Sequence, residues 1–149
     1  MTRSIYNSSP MISIATTDDE IYACFDPLRQ LRPNLEQSSF LPTIRSMMAE
    51  GYRLAYDSDD DTVMCVAGFR VAHNLFMGKH LYVEDLVTPE SVRSNGKGSA
   101  MMGWLADFAR TEKCNVIHLD SGVQRHAAHK FYLNQGLKIV CYHFAKDVE

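Results

Sequence analysis

A glycine-containing turn between an apolar segment and a helical pattern constrains the fold of this chain most. The turn is residues 92–99, Val-Arg-Ser-Asn-Gly-Lys-Gly-Ser. The apolar segment before it, Leu81 to Val87, is typical of a strand, and the apolar residues after it recur with helical spacing, at Met101, Met102, Leu105, Phe108 and Ala109. The first amides of a helix have no partner within it, and glycine lets an anion approach the backbone closely. The pattern therefore predicts a strand, an anion-binding turn and a helix.

Two well-known phosphate loops do not fit this turn. A Walker loop needs G-x-x-x-x-G-K-[ST], whereas here Lys97 stands between two closely spaced glycines, Gly96 and Gly98. A dinucleotide fingerprint needs a third glycine at the position that Met101 occupies. The pattern that remains is Arg-x-x-Gly-x-Gly, and on this hexapeptide alone an ordinary strand-to-helix turn is an equal alternative.

A second motif follows in residues 125–137. Its positions Ala128, Phe131, Tyr132, Gly136 and Leu137 match A-x-x-[FLY]-Y-x-x-x-G-[FLY] on a helix that ends in glycine. Together, in this order and spacing, the two motifs resemble the GCN5-related N-acetyltransferases, from about residue 52 to the C-terminus. Residues 125–144 look most like small-molecule amine acetyltransferases of the aminoalkylphosphonate type. The first third of the chain is compatible with the family and carries no motif.

The resemblance implies an α/β (α+β) fold, with a central mixed and mostly antiparallel sheet flanked by about four helices. The expected order is β-α-α-β-β-β-α-β-α-β. Strands are predicted over residues 11–15, 52–56, 62–71, 81–87 and 115–120 and from Leu137 onward. Helices are predicted from Asp18 to about Leu31, from Ser38 or Ser39 to Gly51, from Gly98, and over residues 124–135. Residues 1–10 are predicted to be a flexible tail, and residues 11–149 a single domain.

Composition bounds the function classes. The chain has 149 residues with 46% hydrophobic and 22% charged residues, as expected of a globular domain. A net charge of −3 without a basic run argues against nucleic-acid binding. No stretch is long and apolar enough for a membrane span, and residues 1–9 lack the apolar segment of a secretory signal. The four cysteines are far apart and are expected to be reduced thiols, so a cytoplasmic location without membrane contact is predicted.

The resemblance implies acetyl-coenzyme A as the cosubstrate. Its pyrophosphate is expected at Arg93, Ser94, Asn95, Gly96, Lys97, Gly98 and Ser99, mainly on backbone amides. Its pantetheine arm is expected to pair with the backbone of the preceding strand, at Leu86, Val87 and Thr88.

The catalytic roles are assigned through the same resemblance. Tyr132 occupies the position that usually protonates the departing thiolate, although a packed helix aromatic would fit the pattern too. Successive strand residues face opposite sides, so only one of Glu84 and Asp85 can face the acceptor. The resemblance, aligned on Arg93, places Asp85 where related enzymes carry an acid, so Asp85 is the preferred base for the amine. Asp120, His118 and a water relay remain competing bases.

The predicted function is transfer of an acetyl group to the primary amine of a small molecule, by direct attack in a ternary complex. Glu84, Asp120 and Arg125 are predicted to bind the substrate, with Arg125 hinting at an anionic group on it. A partly apolar acceptor pocket is expected at Phe40, Phe76, Met77 and Tyr142.

Alternatives remain open at this point. The chain could be a protein lysine or N-terminal acetyltransferase, which would need an open peptide-width groove, or a non-catalytic acyl-coenzyme A binding module. No metal is predicted, although His126 and His129 lie one helical turn apart and could bind one with His118 or Asp120. The resemblance also allows a homodimer without deciding the oligomeric state.

Overall fold

The structure is a computed structural model that describes residues 11–93 and 95–149. The predicted tail, residues 1–10, lies outside the described residues. The elements are β1 (Ile12–Ile14), α1 (Asp18–Ala23), α2 (Phe25–Leu31), α3 (Gln37–Ala49), β2 (Tyr52–Asp59), β3 (Thr62–Asn74), β4 (Gly78–Val87), a 3-10 turn (Glu90–Val92), α4 (Lys97–Thr111), β5 (Val116–Leu119) and α5 (His126–Asn134). Among the described residues, no helix has the length and apolar character needed to cross a membrane.

The strands form one five-stranded sheet in sequence order, β1-β2-β3-β4-β5. Neighbouring strands are antiparallel except β4 and β5, which are parallel. A parallel pair requires a crossover, and α4 supplies it between β4 and β5. The predicted mixed, mostly antiparallel sheet with flanking helices is confirmed.

Two apolar clusters lie against the sheet. The first joins α1, α2 and α3 to the sheet through residues such as Ile21, Phe40 and Leu54. The second packs α4 against β3 and β4, with Phe69 and Met101 fully buried. The sheet is therefore covered by helices on two sides, and α4 is fixed by the residues whose helical spacing the sequence shows.

The first predicted helix is divided into α1 and α2. A continuous helix would require an amide on Pro27 to bond the Ala23 carbonyl, and proline has none, so the second helix begins at Phe25. Thr17 caps α1, because its side chain accepts from the Glu20 amide. Glu20 in turn accepts from the amides of Thr16 and Thr17, and these hydrogen bonds lower its pKa from 4.5 to about 2.

Other boundaries move by a few residues. β2 extends to Asp59 and β3 to Asn74, so the turn between the two strands consists of Asp60 and Asp61, both with positive φ. α3 begins at Gln37, one residue before the predicted start. Gly51 follows α3 with φ of 96°, as expected for a glycine that ends a helix.

The predicted strand from Leu137 onward is wrong for this chain. After α5 the structure has neither helix nor strand, and residues 138–149, which we call the C-terminal arm, are all exposed. The arm contains residues that favour strands, such as Ile139, Val140 and Tyr142. A strand also needs a neighbour for its backbone groups, and the described residues of this chain do not supply one to the arm.

Candidate active site

β4 and β5 separate partway along their length. Their pairing runs from His80↔Val116 to Val83↔Leu119 and ends there. β4 continues to Val87, paired on its other side with β3. In the described residues, the backbone of β4 beyond Val83 is thus free of a strand partner on the side where β5 has ended.

A cleft of about 830 Å³ opens at this point. Its walls are the end of β4, the glycine turn before α4, and α5, with a small contribution from α2. The lining residues include all three residues predicted for the pantetheine arm, several residues of the turn, and Tyr132: Gln30, Leu31, Leu86, Val87, Thr88, Arg93, Gly96, Gly98, Ser99, Gln124, Arg125, His126, Ala127, Ala128, Phe131 and Tyr132.

The turn is shaped by its glycines in two different ways. Gly96 precedes α4 with φ of 74°, in the left-handed region that favours glycine. Gly98 lies under α5, where a Cβ would stand 3.2 Å from the Phe131 ring. Arg93 is oriented by its Nε, which donates to the Thr88 carbonyl at 3.3 Å, and it lines the cleft. The turn thus exposes the first amides of α4 beside one arginine.

Not every predicted turn residue faces the cleft. Ser94 lies outside the described residues, and Asn95 and Lys97 do not line the cleft. Ser99 lines it and also exchanges side-chain hydrogen bonds with Gln135, so the start of α4 is tied to the end of α5. The predicted group therefore divides into residues that border the cleft and residues that support it.

Lys97 points into the protein. Its Nζ lies 3.1 Å from Oδ2 of Asp57, whose side chain is 1% exposed. A carboxylate so deeply buried is costly without a countercharge, and Lys97 provides it. Because Lys97 is the first residue of α4, this ion pair anchors the glycine turn to β2.

A second, smaller cavity of about 210 Å³ adjoins the cleft. Both are lined by the same five residues at their border: Leu31, Leu86, Gln124, Arg125 and Tyr132. The remaining walls of the cavity are more charged, and they comprise Arg32, Val83, Glu84, Leu119, Asp120 and Gly122. Two compartments therefore meet at Tyr132 and Arg125.

Glu84 reaches this cavity because of an irregularity in β4. Gly68 pairs with Asp85 and Phe69 with Val83, so Glu84 is the extra residue of a β-bulge. Bulges change the direction of side chains and are common next to active sites. Arg70 Nε donates to Glu84 Oε1 at 2.6 Å and orients the carboxylate.

Asp85 is held by other side chains. Its Oδ1 accepts from Arg32 Nε at 3.0 Å, and its Oδ2 accepts from the Tyr52 hydroxyl at 2.9 Å. Burial and the neighbouring Asp85 raise the pKa of Tyr52, so the phenol remains a donor. The Tyr52 ring reaches Asp85 by lying across Gly68. Asp85 does not line either cavity, so of the two neighbouring acids the structure brings Glu84 into the small cavity.

Asp120 lies at the opposite wall, just after β5. It accepts a hydrogen bond from the Tyr82 hydroxyl, and His143 Nδ1 stands 3.6 Å from it. His118 Nε2 and His80 Nδ1 are 2.8 Å apart, within hydrogen-bond distance. Burial, together with His80, lowers the pKa of His118 although Asp120 opposes this shift. The neutral form of His118 is therefore favoured, and its ring is engaged with His80.

Tyr132 stands where the two compartments meet. Burial raises the pKa of its phenol above the ordinary value, and the positive charge of Arg125 opposes the shift. The hydroxyl makes no hydrogen bond with the described residues. A neutral phenol, whose hydroxyl is not engaged by the described residues, therefore faces the border between the cleft and the small cavity.

The histidines of α5 are arranged differently from a metal site. His129 Nε2 interacts with the Gly122 carbonyl at 2.7 Å, and its ring meets the His126 ring at a centroid distance of 6.0 Å. Within residues 11–93 and 95–149, no group of three or more metal-ligating side chains lies close enough to hold an ion.

Sequence reasoning misplaced the apolar acceptor wall and missed several charged partners. Phe40 is 2% exposed and belongs to the core, and Phe76, Met77 and Tyr142 do not line the small cavity. The missed residues are Arg32, Tyr52, Asp57, Arg70 and Tyr82. One signal was available for Tyr52, because a glycine inside an apolar strand, here Gly68, often marks a close approach of another chain segment.

Comparison with known proteins gives a consistent result. The model of the acetyltransferase (GNAT) family matches residues 18–137, more than half of the chain. An uncharacterized N-acetyltransferase of Bacillus subtilis is 29% identical over 135 residues, covering 89% of this chain and 95% of that protein. The aminoalkylphosphonate N-acetyltransferase of Salmonella typhimurium is 27% identical over 139 residues, covering 89% of this chain and 87% of that protein.

A solved structure of an aminoglycoside N-acetyltransferase in complex with CoA is similar in fold. The TM-score is 0.81 at 12% identity, and the match covers 93% of this chain and 95% of the other. At this identity the likeness concerns the fold alone.

Loss of the Lys97 charge should lower the free energy of unfolding far more than loss of the exposed Arg110 charge, because Lys97 pairs with the buried Asp57. Lys97→Met leaves the Asp57 carboxylate buried without its partner, so the free energy of unfolding should fall by about 3 kcal/mol. The exposed pair Arg110–Asp107 provides the control, and Arg110→Met should cost less than about 0.5 kcal/mol. Urea denaturation measures both.

Replacing both partners of the buried pair, as in Asp57→Leu with Lys97→Met, should restore much of the lost stability, because no buried charge then remains. Equal losses in Lys97→Met and Arg110→Met would show that the pair does not anchor the turn.

Proposed function

We propose, since the chain belongs to the GNAT acetyltransferase family, that it transfers the acetyl group of acetyl-coenzyme A directly to the amine of a small molecule. The observation that carries the proposal is the meeting of two compartments at Tyr132. The larger one suits an extended cosubstrate and the smaller one suits a compact acceptor. A cytoplasmic location is part of the same proposal.

The cleft would hold the cosubstrate through its backbone. The pyrophosphate would lie at the first amides of α4, with Arg93 adding a positive charge and Gly96 permitting the turn. The pantetheine amides would pair with the free backbone of Leu86, Val87 and Thr88, as a peptide strand adds to a sheet edge. This arrangement would direct the thioester toward the border with the small cavity.

Transfer then requires two proton movements. The amine nitrogen attacks the acetyl carbonyl carbon, and collapse of the tetrahedral intermediate breaks the carbon–sulfur bond. Tyr132 would give its proton to the departing thiolate, because its phenol, with a pKa raised by burial, is protonated at neutral pH and its hydroxyl makes no hydrogen bond with the described residues. The proton lost by the amine would pass to a carboxylate of the small cavity, directly or through water.

Glu84 is our choice for that carboxylate. It lines the cavity, and among the described residues Arg70 engages only its Oε1, whereas Arg32 and Tyr52 engage both oxygens of Asp85. Asp120 faces the same cavity but already accepts from Tyr82. Asp85, the base expected from the sequence, remains the rival that the experiment below compares with Glu84.

The charges of the small cavity suggest the chemistry of the acceptor. Glu84 and Asp120 would attract the amine, and Arg125 offers a positive charge for an anionic group. An amine that also carries a phosphonate, phosphate or carboxylate would match both. The relative that acts on aminoalkylphosphonates agrees with this charge pattern.

The size of the cavity argues against the main rival. A volume of about 210 Å³ is below the roughly 300–1,000 Å³ of common ligand pockets and favours a compact amine over a peptide. A non-catalytic acyl-coenzyme A binding module would need the cleft but would have no use for a protonated phenol beside a second, charged cavity.

The loop assignment is tested with two glycines of similar geometry. Gly96 and Gly51 both have positive φ and open space where a Cβ would stand. Valine at either position should strain the backbone by about 1–2 kcal/mol. Only Gly96→Val should weaken acetyl-coenzyme A binding, by about tenfold or more, in calorimetry. Equal affinities in the two variants would place the pyrophosphate elsewhere.

Tyr132→Phe separates an enzyme from a binder. The variant removes the proton donor and keeps the ring, so acetyl-coenzyme A binding should stay nearly unchanged while turnover falls by ~10²-fold. Thiol release with a panel of small amines measures turnover, and calorimetry measures binding. Tyr22→Phe on α1 serves as the control and should match the parent. Full activity of Tyr132→Phe would assign the proton to water or another group.

The base is tested by comparing Glu84→Gln with Asp85→Asn. Glu84→Gln should lower turnover at neutral pH by about 10²-fold, with a smaller deficit at high pH where free amine is abundant. Asp85→Asn should mainly lower stability, because it weakens the contacts with Arg32 and Tyr52. The reverse result, a large and pH-dependent loss in Asp85→Asn alone, would return the role to Asp85.

A further inference from the structure

We propose that Arg32 is a positioning residue that holds the β-bulge of β4, so that Glu84 faces the small cavity. The inference rests on the proposed function in one respect, the role of Glu84 as the base. Arg32 acts through Glu84 and not on the substrate. The proposal follows from a bulge residue that the sheet leaves unpaired and from an arginine whose two donors meet the bulge.

The sheet does not by itself fix the position of Glu84. Val83 pairs with both β3 and β5, and Asp85 pairs with β3. Glu84, between them, has no partner in either register among the described residues. The extra residue of a bulge is left out of the ladder, so its backbone groups need other partners. The position of Glu84 therefore depends on contacts from side chains.

Arg32 supplies the partner for the backbone of Glu84. Its Nη2 donates to the Glu84 carbonyl at 3.0 Å, and its Nε donates to Asp85 Oδ1 at 3.0 Å. The planar guanidinium presents these donors in a fixed geometry, which suits two acceptors on neighbouring residues. Arg70 Nε holds the Glu84 carboxylate at 2.6 Å. The backbone and the side chain of Glu84 are thus each held by one arginine.

The sequence places Arg32 where it can reach the bulge. A residue before a proline avoids the α-helical region, and Pro33 follows Arg32. Arg32 accordingly ends α2 with φ of −123° and ψ of 81°, while its amide still donates to the Leu28 carbonyl. The residue is therefore fixed to the helix end and its side chain crosses to β4. The end of α2 and the bulge are joined beside the small cavity, which Arg32 and Glu84 both line.

The contacts of Arg32 favour positioning over direct binding of the substrate. Its side chain is 53% exposed, but Asp85 pairs with its charge and two of its nitrogens are engaged. An anionic group on the substrate would have to displace Asp85, whose side chain is only 13% exposed. Arg32 therefore differs from Arg125, which makes no ion pair with the described residues.

Arg45 provides a matched control outside both cavities. Its Nε donates to Asp18 Oδ1 at 3.1 Å, and its Nη2 donates to the Thr16 carbonyl at 3.0 Å. Its side chain is 43% exposed, close to the value for Arg32. The same combination of a carboxylate and a carbonyl is thus bound without a bulge or a cavity. Arg45→Met should lose comparable contacts and leave turnover unchanged.

The first test asks whether Arg32 acts through Glu84. Arg32→Met should keep acetyl-coenzyme A binding in calorimetry and lower turnover about tenfold at neutral pH, with a smaller deficit at high pH, because a displaced Glu84 is a poorer base. In a Glu84→Gln background the same change should cost less than about twofold, because the group on which Arg32 acts is then already lost. Equal losses in the two backgrounds would show that Arg32 acts on the substrate directly and would overturn the proposal.

The second test keeps the positive charge and separates the proposal from the choice of base. Arg32→Lys leaves a charge beside Asp85, so it is the variant to use if Arg32→Met does not fold. A single ammonium does not reproduce the two-donor geometry of arginine, so its turnover should fall as in Arg32→Met.

Crystal structures of the variants give a readout that does not depend on activity. In Arg32→Met and Arg32→Lys the Glu84 carboxylate should leave the small cavity and its contact with Arg70, whereas Arg45→Met should keep that contact at 2.6 Å. An unchanged Glu84 would refute the positioning role, whichever group is the base. A displaced Glu84 together with full activity of Glu84→Gln would support the positioning role and contradict the assignment of Glu84 as the base.

Discussion

The separation of β4 from β5 is the constraint on which the rest of the site depends. β4 remains paired to β3 as far as Val87, while its pairing with β5 ends at Val83↔Leu119. One side of β4 thus keeps the sheet intact and the other side exposes backbone groups inside a cleft. The parallel pairing places α4 between the two strands in sequence, so the glycine turn at its start opens toward the same cleft.

Ion pairs and hydrogen bonds fix most of the charged residues around the site, and some of these residues also line the small cavity. Asp57 and Lys97 neutralise each other beneath the turn, and Asp85 is satisfied by Arg32 and Tyr52. Glu84 and Arg125 are left to face the small cavity. Buried ion pairs contribute little net stability compared with apolar packing, but they fix the positions of the elements that carry them. The turn and the acceptor wall are positioned in this way.

The sequence predicted the parts of the fold that local chemistry determines. The helical spacing in α4, the Arg93-x-x-Gly96-x-Gly98 turn and the position of Tyr132 on α5 are present in the structure. The helix interruption at Cys24 could be predicted only by weighing the missing amide of Pro27 against an apolar pattern that continues across it. The arm was misjudged because strand propensity does not tell whether a segment pairs with the edge of a sheet.

Long-range partners were harder to predict than elements. Arg32 meets Asp85 across 53 residues and Tyr52 meets Asp85 across 33, and no local pattern encodes such distances. The β-bulge that turns Glu84 into the cavity depends on the pairing with Gly68 and Phe69, which the alternation of β4 alone does not reveal. The sequence therefore identified the two neighbouring acids but not which of them the fold would expose.

The close approach of Tyr52 to Gly68 has a consequence for how this sequence can vary. A Cβ at residue 68 would lie 1.8 Å from the Tyr52 hydroxyl oxygen and 2.4 Å from the ring carbon that bears it, so phenylalanine at residue 52 would still block any side chain at residue 68. Only a small residue at position 52 would make room, and it would remove the hydroxyl that holds Asp85. Substitutions at residues 52, 68 and 85, which lie on three neighbouring strands, are therefore compatible with the fold only when they occur together.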